Sequence, residues 1–151
     1  MSKVLDRTKD GLKYLESGKF QSAIEKFTKA SSTRSGTDLQ RAVASLFAYE
    51  TARYRREWKK RRFGNAHLFA YFMDENTGKA WSDVDIAAVL VAPDTRNINS
   101  FLARFLGRNN NAISFQRRYA NGRALRSWLE ETGERYTRYT QTVAVKNRLG
   151  V

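Results

Sequence analysis

Helix start and stop signals follow one another so closely between residues 81 and 122 that only short helices fit between them. Ser82 and Asp85 form a capping-box pattern, in which a serine and an acidic residue three positions later mark a helix start. Pro93 ends this first helix, because proline has no backbone N–H and its ring clashes with the preceding turn. Asp94 and Thr95 then provide caps for a second helix. The chain is therefore constrained to turn sharply at least once inside this segment.

The second helix, predicted over residues 96–106, ends at Gly107, since glycine adopts the left-handed conformation that often closes a helix. A short polar run, residues 108–110, leads into a third helix that ends at residues 121–122. Helical spacing predicts an inward and an outward face for this third helix. The inward residues are Ala112, Phe115 and Tyr119, and the outward residues are Asn111, Ser114, Arg117 and Arg118.

Three short helices with a tight turn between the last two are typical of a helix-turn-helix, whose final helix enters the major groove of DNA. The residues that carry a family likeness are Trp81, Asp85, Leu90 and the runs 102–108 and 111–118. In these positions residues 81–120 resemble a Myb/SANT-type domain of the kind found in bacterial and phage regulators. The resemblance implies a DNA-binding unit over residues 81–122.

The charge distribution favours the same partner. The net charge is +13, and no carboxylate occurs between Asp94 and Glu130. All seven basic residues of this interval are arginines, whose planar fork suits phosphate and guanine. The predicted base-reading residues are Asn110, Asn111, Ser114, Arg117 and Arg118. The predicted phosphate contacts are Arg96, Arg104, Arg108, Arg123, Arg126, Lys59, Lys60, Arg61 and Arg62.

The N-terminal part is predicted to be helical as well. Residues 1–36 carry apolar residues at helical spacing on both sides of a turn at Ser17-Gly18-Lys19, and the run 18–30 resembles one tetratricopeptide unit. Thr37 and Gln40 form a capping box that opens a long basic helix over residues 37–63. The hairpin could pack internally, form a homodimer or bind a protein partner.

For two segments the sequence is compatible with more than one structure. Residues 64–80 connect the two halves, with a short β-hairpin near residues 68–81 or a buried helix and loop as alternatives. The sequence of residues 123–151 predicts a further helix, followed by a strand or an extended basic tail. The predicted fold class is mainly α: an N-terminal helical hairpin and a long basic helix packed with a three-helix helix-turn-helix unit.

These patterns predict a protein that binds double-stranded DNA sequence-specifically, as a small transcriptional regulator of bacterial or phage type. We do not expect the protein to be an enzyme, because the sequence has no cysteine, a single histidine and no glycine-rich phosphate loop. We also expect it to bind no cofactor or metal. Without an apolar leader or a membrane-length apolar stretch, the expected location is cytoplasmic and nucleoid-associated. The alternative is an interaction protein that binds a partner through residues 1–36 and binds DNA or RNA nonspecifically.

Overall fold

A computed structural model describes residues 3–60, residue 76 and residues 79–119, with the backbone alone for residues 58–60 and 119. These residues form six helices and no strand, which confirms the mainly helical prediction. The helices are α1 (Lys3–Glu16), α2 (Phe20–Ser31), α3 (Asp38–Lys60), α4 (Asp83–Val91), α5 (Arg96–Leu106) and α6 (Asn110–Tyr119). The segment near residues 68–81, for which a β-hairpin and a buried helix and loop were alternatives, lies mostly outside the described residues, and the predicted C-terminal helix and tail lie wholly outside them.

The helical hairpin α1–α2 is closed by a Schellman motif at the predicted turn. The Lys19 N–H donates to the Tyr14 carbonyl at 2.9 Å, and the Gly18 N–H donates to the Leu15 carbonyl at 3.0 Å. Gly18 has a φ of 76°, a conformation in which a Cβ would be strained. The two helices therefore leave the turn in antiparallel directions, as their sequence predicts.

Gly11 allows the two helices of the hairpin to approach closely. A Cβ placed on Gly11 would lie 2.5 Å from Cε1 of Phe27. The Phe27 ring is fully buried and stacks on Phe47 of α3 with ring centroids 5.3 Å apart, so it has little room to retreat. The absence of a side chain at residue 11 thus fixes how α1, α2 and α3 pack together.

We expect Gly11→Ala to lower the free energy of unfolding by about 1 to 2 kcal/mol. Alanine favours a helix by about 1 kcal/mol over glycine, but overpacking a filled core costs about 1 to 3 kcal/mol, and the contact here is far inside van der Waals distance. Urea unfolding measures the change. The cost should shrink in a Phe27→Leu background, and an equal cost in both backgrounds would show that the ring is not the obstacle.

The long helix α3 begins at the predicted capping box. The Gln40 N–H donates to Thr37 Oγ1 at 3.1 Å, and the Thr37 N–H donates to Gln40 Oε1 at 3.0 Å, so two N–H groups at the helix start are satisfied reciprocally. Its buried positions include Leu39, Val43 and Phe47. No helix within the described ranges is both long and apolar enough to cross a membrane.

One hydrophobic core joins the N-terminal helices to the three short ones. Phe20 of α2, Tyr54 of α3 and Phe101 of α5 form an aromatic cluster, with centroid distances of 5.4 to 6.2 Å among them. Phe105, which is 1% exposed, extends the cluster with centroids 6.1 Å from Tyr54 and 5.7 Å from Phe101. The short helices α4 to α6 are consequently held against α3 rather than standing apart from it.

Candidate nucleic-acid interface

The start of each short helix is capped by a side chain. Ser82 Oγ accepts a hydrogen bond from the Asp85 N–H at 3.1 Å, and Thr95 Oγ1 accepts one from the Ile98 N–H at 3.2 Å. Asn109 Oδ1 accepts the Ala112 N–H at 2.8 Å and so caps α6. The predicted helix starts at Ser82 and Thr95 are confirmed, and α6 begins at Asn110, the last residue of the predicted polar run.

The turn between α5 and α6 has the predicted left-handed glycine. Gly107 has a φ of 63°, and a second Schellman motif ends α5: the Arg108 N–H donates to the Ala103 carbonyl at 2.9 Å, and the Gly107 N–H donates to the Arg104 carbonyl at 3.3 Å. Only residues 107–109 separate the two helices. This tight connection holds α6 in a fixed relation to α5.

Arg108 stabilises this turn, and the prediction that it contacts phosphate does not fit its position. The residue is 6% exposed, and its guanidinium donates to the carbonyls of Lys79 at 2.7 Å and Ala80 at 3.2 Å. Its Cζ lies 4.6 Å from the centroid of the half-buried Trp81 ring, within the range of a cation–π contact. Arg108 therefore attaches the turn to the chain that precedes α4.

Asn76 binds the same turn from another side, and sequence reasoning did not identify it. Its backbone N–H donates to the Gly107 carbonyl at 3.0 Å, and its side-chain amide donates to the Leu106 carbonyl at 2.9 Å. Carbonyls at a helix end lack partners within the helix. Asn76 donates hydrogen bonds to two such carbonyls at the end of α5. Nothing in its local sequence distinguishes it from an ordinary turn asparagine.

The faces of α6 differ from the prediction at two positions. Ile113 is fully buried and sets the inner face, together with Arg117 one turn later, whose side chain is 14% exposed. Phe115, predicted to point inward, is 58% exposed, and the prediction that Arg117 points outward is also wrong. The helix is rotated so that Arg117, whose guanidinium bonds to Val89 and Asn99, lies on the inner face, and Phe115 lies on the exposed side.

The Arg117 guanidinium binds the C-terminal end of α4. Its Nη1 donates to the carbonyls of Val89 at 2.9 Å and Ala92 at 2.8 Å, and its Nη2 donates to the carbonyl of Pro93 at 2.9 Å. The Val89 carbonyl belongs to the last turn of α4, the negative end of the helix dipole, where a cation is stabilising, and Ala92 and Pro93 follow that helix end directly. Arg117 thus acts as a cap supplied to α4 by α6.

The same guanidinium also binds α5. Its Nη2 and Nε donate to Asn99 Oδ1 at 2.7 and 3.1 Å, while the Asn99 amide donates to Asp94 Oδ1 at 2.7 Å. Asp94 Oδ1 lies 3.6 Å from Arg117 Nε. Burial lowers the pKa of Arg117 and the Asp94 charge acts against that shift. One side chain consequently joins all three short helices, which argues against a base-reading role for it.

Arg104, another predicted phosphate contact, lies within the aromatic cluster. Its Nη1 donates to the Tyr54 hydroxyl at 3.0 Å, and its Cζ lies 5.5 Å from the Tyr54 centroid and 5.6 Å from that of Phe101. Burial lowers the pKa of Arg104 and raises that of Tyr54. The side chain borders a pocket of about 360 Å³ that also includes Asn97 and Ser100. Arg104 therefore joins α5 to α3.

The other predicted base-reading residues of α6 lie on an exposed surface together with Phe115. Asn111, Ser114, Phe115 and Arg118 are exposed and occupy positions i, i+3, i+4 and i+7 of α6, which lie on one side of a helix; we call them the outer face. Asn110 is exposed at the start of the same helix, and Arg96 is exposed at the start of α5. The side chains of Lys59 and Lys60, and residues Arg61, Arg62, Arg123 and Arg126, lie outside the described part of the chain.

The outer face is chemically mixed and carries no negative charge. It combines amide, hydroxyl, guanidinium and aromatic groups, and α6 contains no carboxylate. Among the side chains that the structure describes, no group of three His, Cys, Asp or Glu could hold a metal ion. No protein-family profile, curated protein or solved structure shows significant similarity to the chain.

Proposed function

We propose that the protein binds double-stranded DNA and reads its sequence with the outer face of α6. The observation that carries this proposal is the composition of that face. Asn111 can form paired hydrogen bonds with adenine, Arg118 can form them with guanine, and Ser114 can donate or accept. All three are exposed on one side of a helix that follows a tight turn, as in helix-turn-helix proteins.

The dimensions of the helix suit the major groove. A groove about 12 Å wide admits an α-helix of about 10 to 12 Å diameter. From Asn111 to Arg118 the helix rises about 10 Å, which corresponds to roughly three base pairs at about 3.4 Å each. The outer face can therefore contact a short continuous run of base edges. The resemblance of residues 81–120 to a Myb/SANT-type domain supports the same mode of binding.

Fewer arginines are available for phosphate than the sequence indicates. The guanidinium groups of Arg104, Arg108 and Arg117 bond to groups of the protein itself. Arg96 and Arg118 remain exposed within the short helices. We accordingly expect phosphate contacts by Arg96 together with basic residues outside α4 to α6, while Arg118 contacts either bases or phosphate.

A small transcriptional regulator that associates with chromosomal or phage DNA is the biological role that fits this binding mode. In that role the α1–α2 hairpin, with its tetratricopeptide-like run 18–30, would support the DNA-binding helices through the shared core. If the hairpin also binds a protein partner, the protein would recruit that partner to the DNA that it recognises.

The first test is selection of bound duplexes from a random pool, followed by affinity measurements on the selected site and on scrambled DNA. With on the order of 5 phosphates neutralised, affinity should fall several hundredfold between about 50 and 200 mM salt. Asn111→Ala should lose discrimination at one base position by about 1 to 3 kcal/mol. Asn97→Ala, on α5 and away from the outer face, is the matched control and should leave discrimination unchanged.

The proposal fails if no sequence is enriched from the pool. It also fails if affinity does not depend on salt, because phosphate contacts release counterions. If Asn111→Ala weakens binding to selected and scrambled DNA equally, the helix holds phosphate without reading bases, and the protein is a nonspecific DNA-binding one.

A further inference from the structure

Phe115 is a large apolar side chain in the middle of an otherwise polar binding face. It is 58% exposed, whereas Phe105 and Phe27 are 1% and 0% exposed. An exposed phenylalanine gives up most of the free energy that its burial would contribute, about 1.5 to 3 kcal/mol. The register of α6 produces this exposure, because Ile113 and Arg117 occupy the inner face.

The neighbours of Phe115 indicate which kind of partner suits the exposed part of its ring. Asn111 precedes it by one helical turn, and Ser114 and Arg118 flank it on the same side, all of them exposed. Because the cation Arg118 lies on the same side and α6 contains no carboxylate, the face is suited to a polyanion and not to a mainly apolar partner. In the major groove, the apolar group available to such a residue is the 5-methyl group of thymine.

We propose that Phe115 contacts the 5-methyl group of a thymine and makes the protein selective for that base. This inference rests on the proposed function. Because Asn111 and Phe115 are four residues apart, about 6 Å along the helix axis, the thymine should lie roughly two base pairs from the base that Asn111 reads. Apolar contact at this position complements the hydrogen bonds of the polar residues, which cannot detect a methyl group.

The experiment pairs a change in the protein with a change in the DNA. Uracil replaces each thymine of the selected site in turn, which removes the methyl group and keeps the base pair. For the natural protein, uracil at one position should weaken binding about threefold to tenfold, the effect expected from burying one methyl group. Phe115→Ala should weaken binding to the thymine duplex and show no difference between thymine and uracil at that position.

Two controls keep the outcomes separate. Phe115→Leu retains an apolar side chain and should keep part of the thymine preference, and thermal unfolding should show that both variants fold, since an exposed side chain contributes little to stability. If uracil weakens binding of the natural protein and of Phe115→Ala equally, or has no effect at any position, the contact does not exist.

Failure of the proposed function has a different signature. If the natural protein binds selected and scrambled duplexes equally, sequence reading itself is absent and both proposals fall. If it discriminates the selected site and loses discrimination in Asn111→Ala, yet ignores thymine methyl groups, only the role of Phe115 is overturned. Binding of a protein partner at Phe115 would appear as normal DNA affinity in Phe115→Ala, which also overturns the thymine contact.

Discussion

Arg117→Ala should lower the free energy of unfolding by about 2 to 4 kcal/mol. The substitution removes five hydrogen bonds from one guanidinium and leaves the carbonyls of Val89, Ala92 and Pro93 without their charged donor. Hydrogen bonds to charged groups contribute about 1.5 to 3 kcal/mol each, but they are not additive when one side chain makes them all. Urea unfolding followed by circular dichroism measures the loss.

The adjacent Arg118 provides the matched control. It has the same charge, is exposed on the outer face and makes no hydrogen bond to the short helices in the described part of the chain. Arg118→Ala should therefore change stability by less than about 0.5 kcal/mol and weaken DNA binding. Arg117→Lys should recover only part of the stability, because an ammonium lacks the planar fork. Equal stability of the two alanine variants would contradict the assignment of Arg117 as the residue joining the three helices.

Phe105→Ala should lower the free energy of unfolding by about 3 to 5 kcal/mol. Phe105 is 1% exposed and contacts Tyr54 across the junction between α3 and α5, so truncation leaves a cavity in a core that both halves of the chain share. Because that core is continuous, α1 to α3 should lose their structure in the same transition as α4 to α6. Differential scanning calorimetry measures both the stability and the number of transitions.

Phe105→Leu is the corresponding control, since it keeps most of the volume and should cost about 1.5 kcal/mol or less. Two separate transitions in Phe105→Ala, one at an unchanged temperature, would show that the N-terminal helices are stable without the short ones. A single transition would instead make deletion of the hairpin equivalent to unfolding the protein.

The helix boundaries could be predicted because their causes are local. Ser82, Thr95 and the pair Thr37–Gln40 bond to N–H groups three residues away, and Gly107 adopts its conformation for lack of a Cβ. Interactions across so few residues are visible in the sequence itself. The three short helices and the hairpin turn were accordingly predicted within a few residues.

The roles of individual side chains on α6 depended on distant groups. Hydrophobicity placed Phe115 inside and charge placed Arg117 outside, and both predictions were wrong. The inward position of Arg117 depends on carbonyls at and just after the end of α4, which lie 24 to 28 residues before it in the sequence. No local pattern indicates that a helix end elsewhere requires a cation. The same reason explains why Arg104 and Arg108, which bind Tyr54 and the Lys79 carbonyl, were predicted to be surface residues.

The turn at residues 107–109 has a consequence for how such a protein could change during evolution. Surface loops usually tolerate insertions, but this turn is bound from outside by Asn76, and its Arg108 binds two carbonyls before α4. A residue inserted here would shift α6 along its axis and break these contacts together. If the outer face binds DNA as proposed, new binding preferences should therefore arise by replacing its side chains, while the length of the turn stays constant.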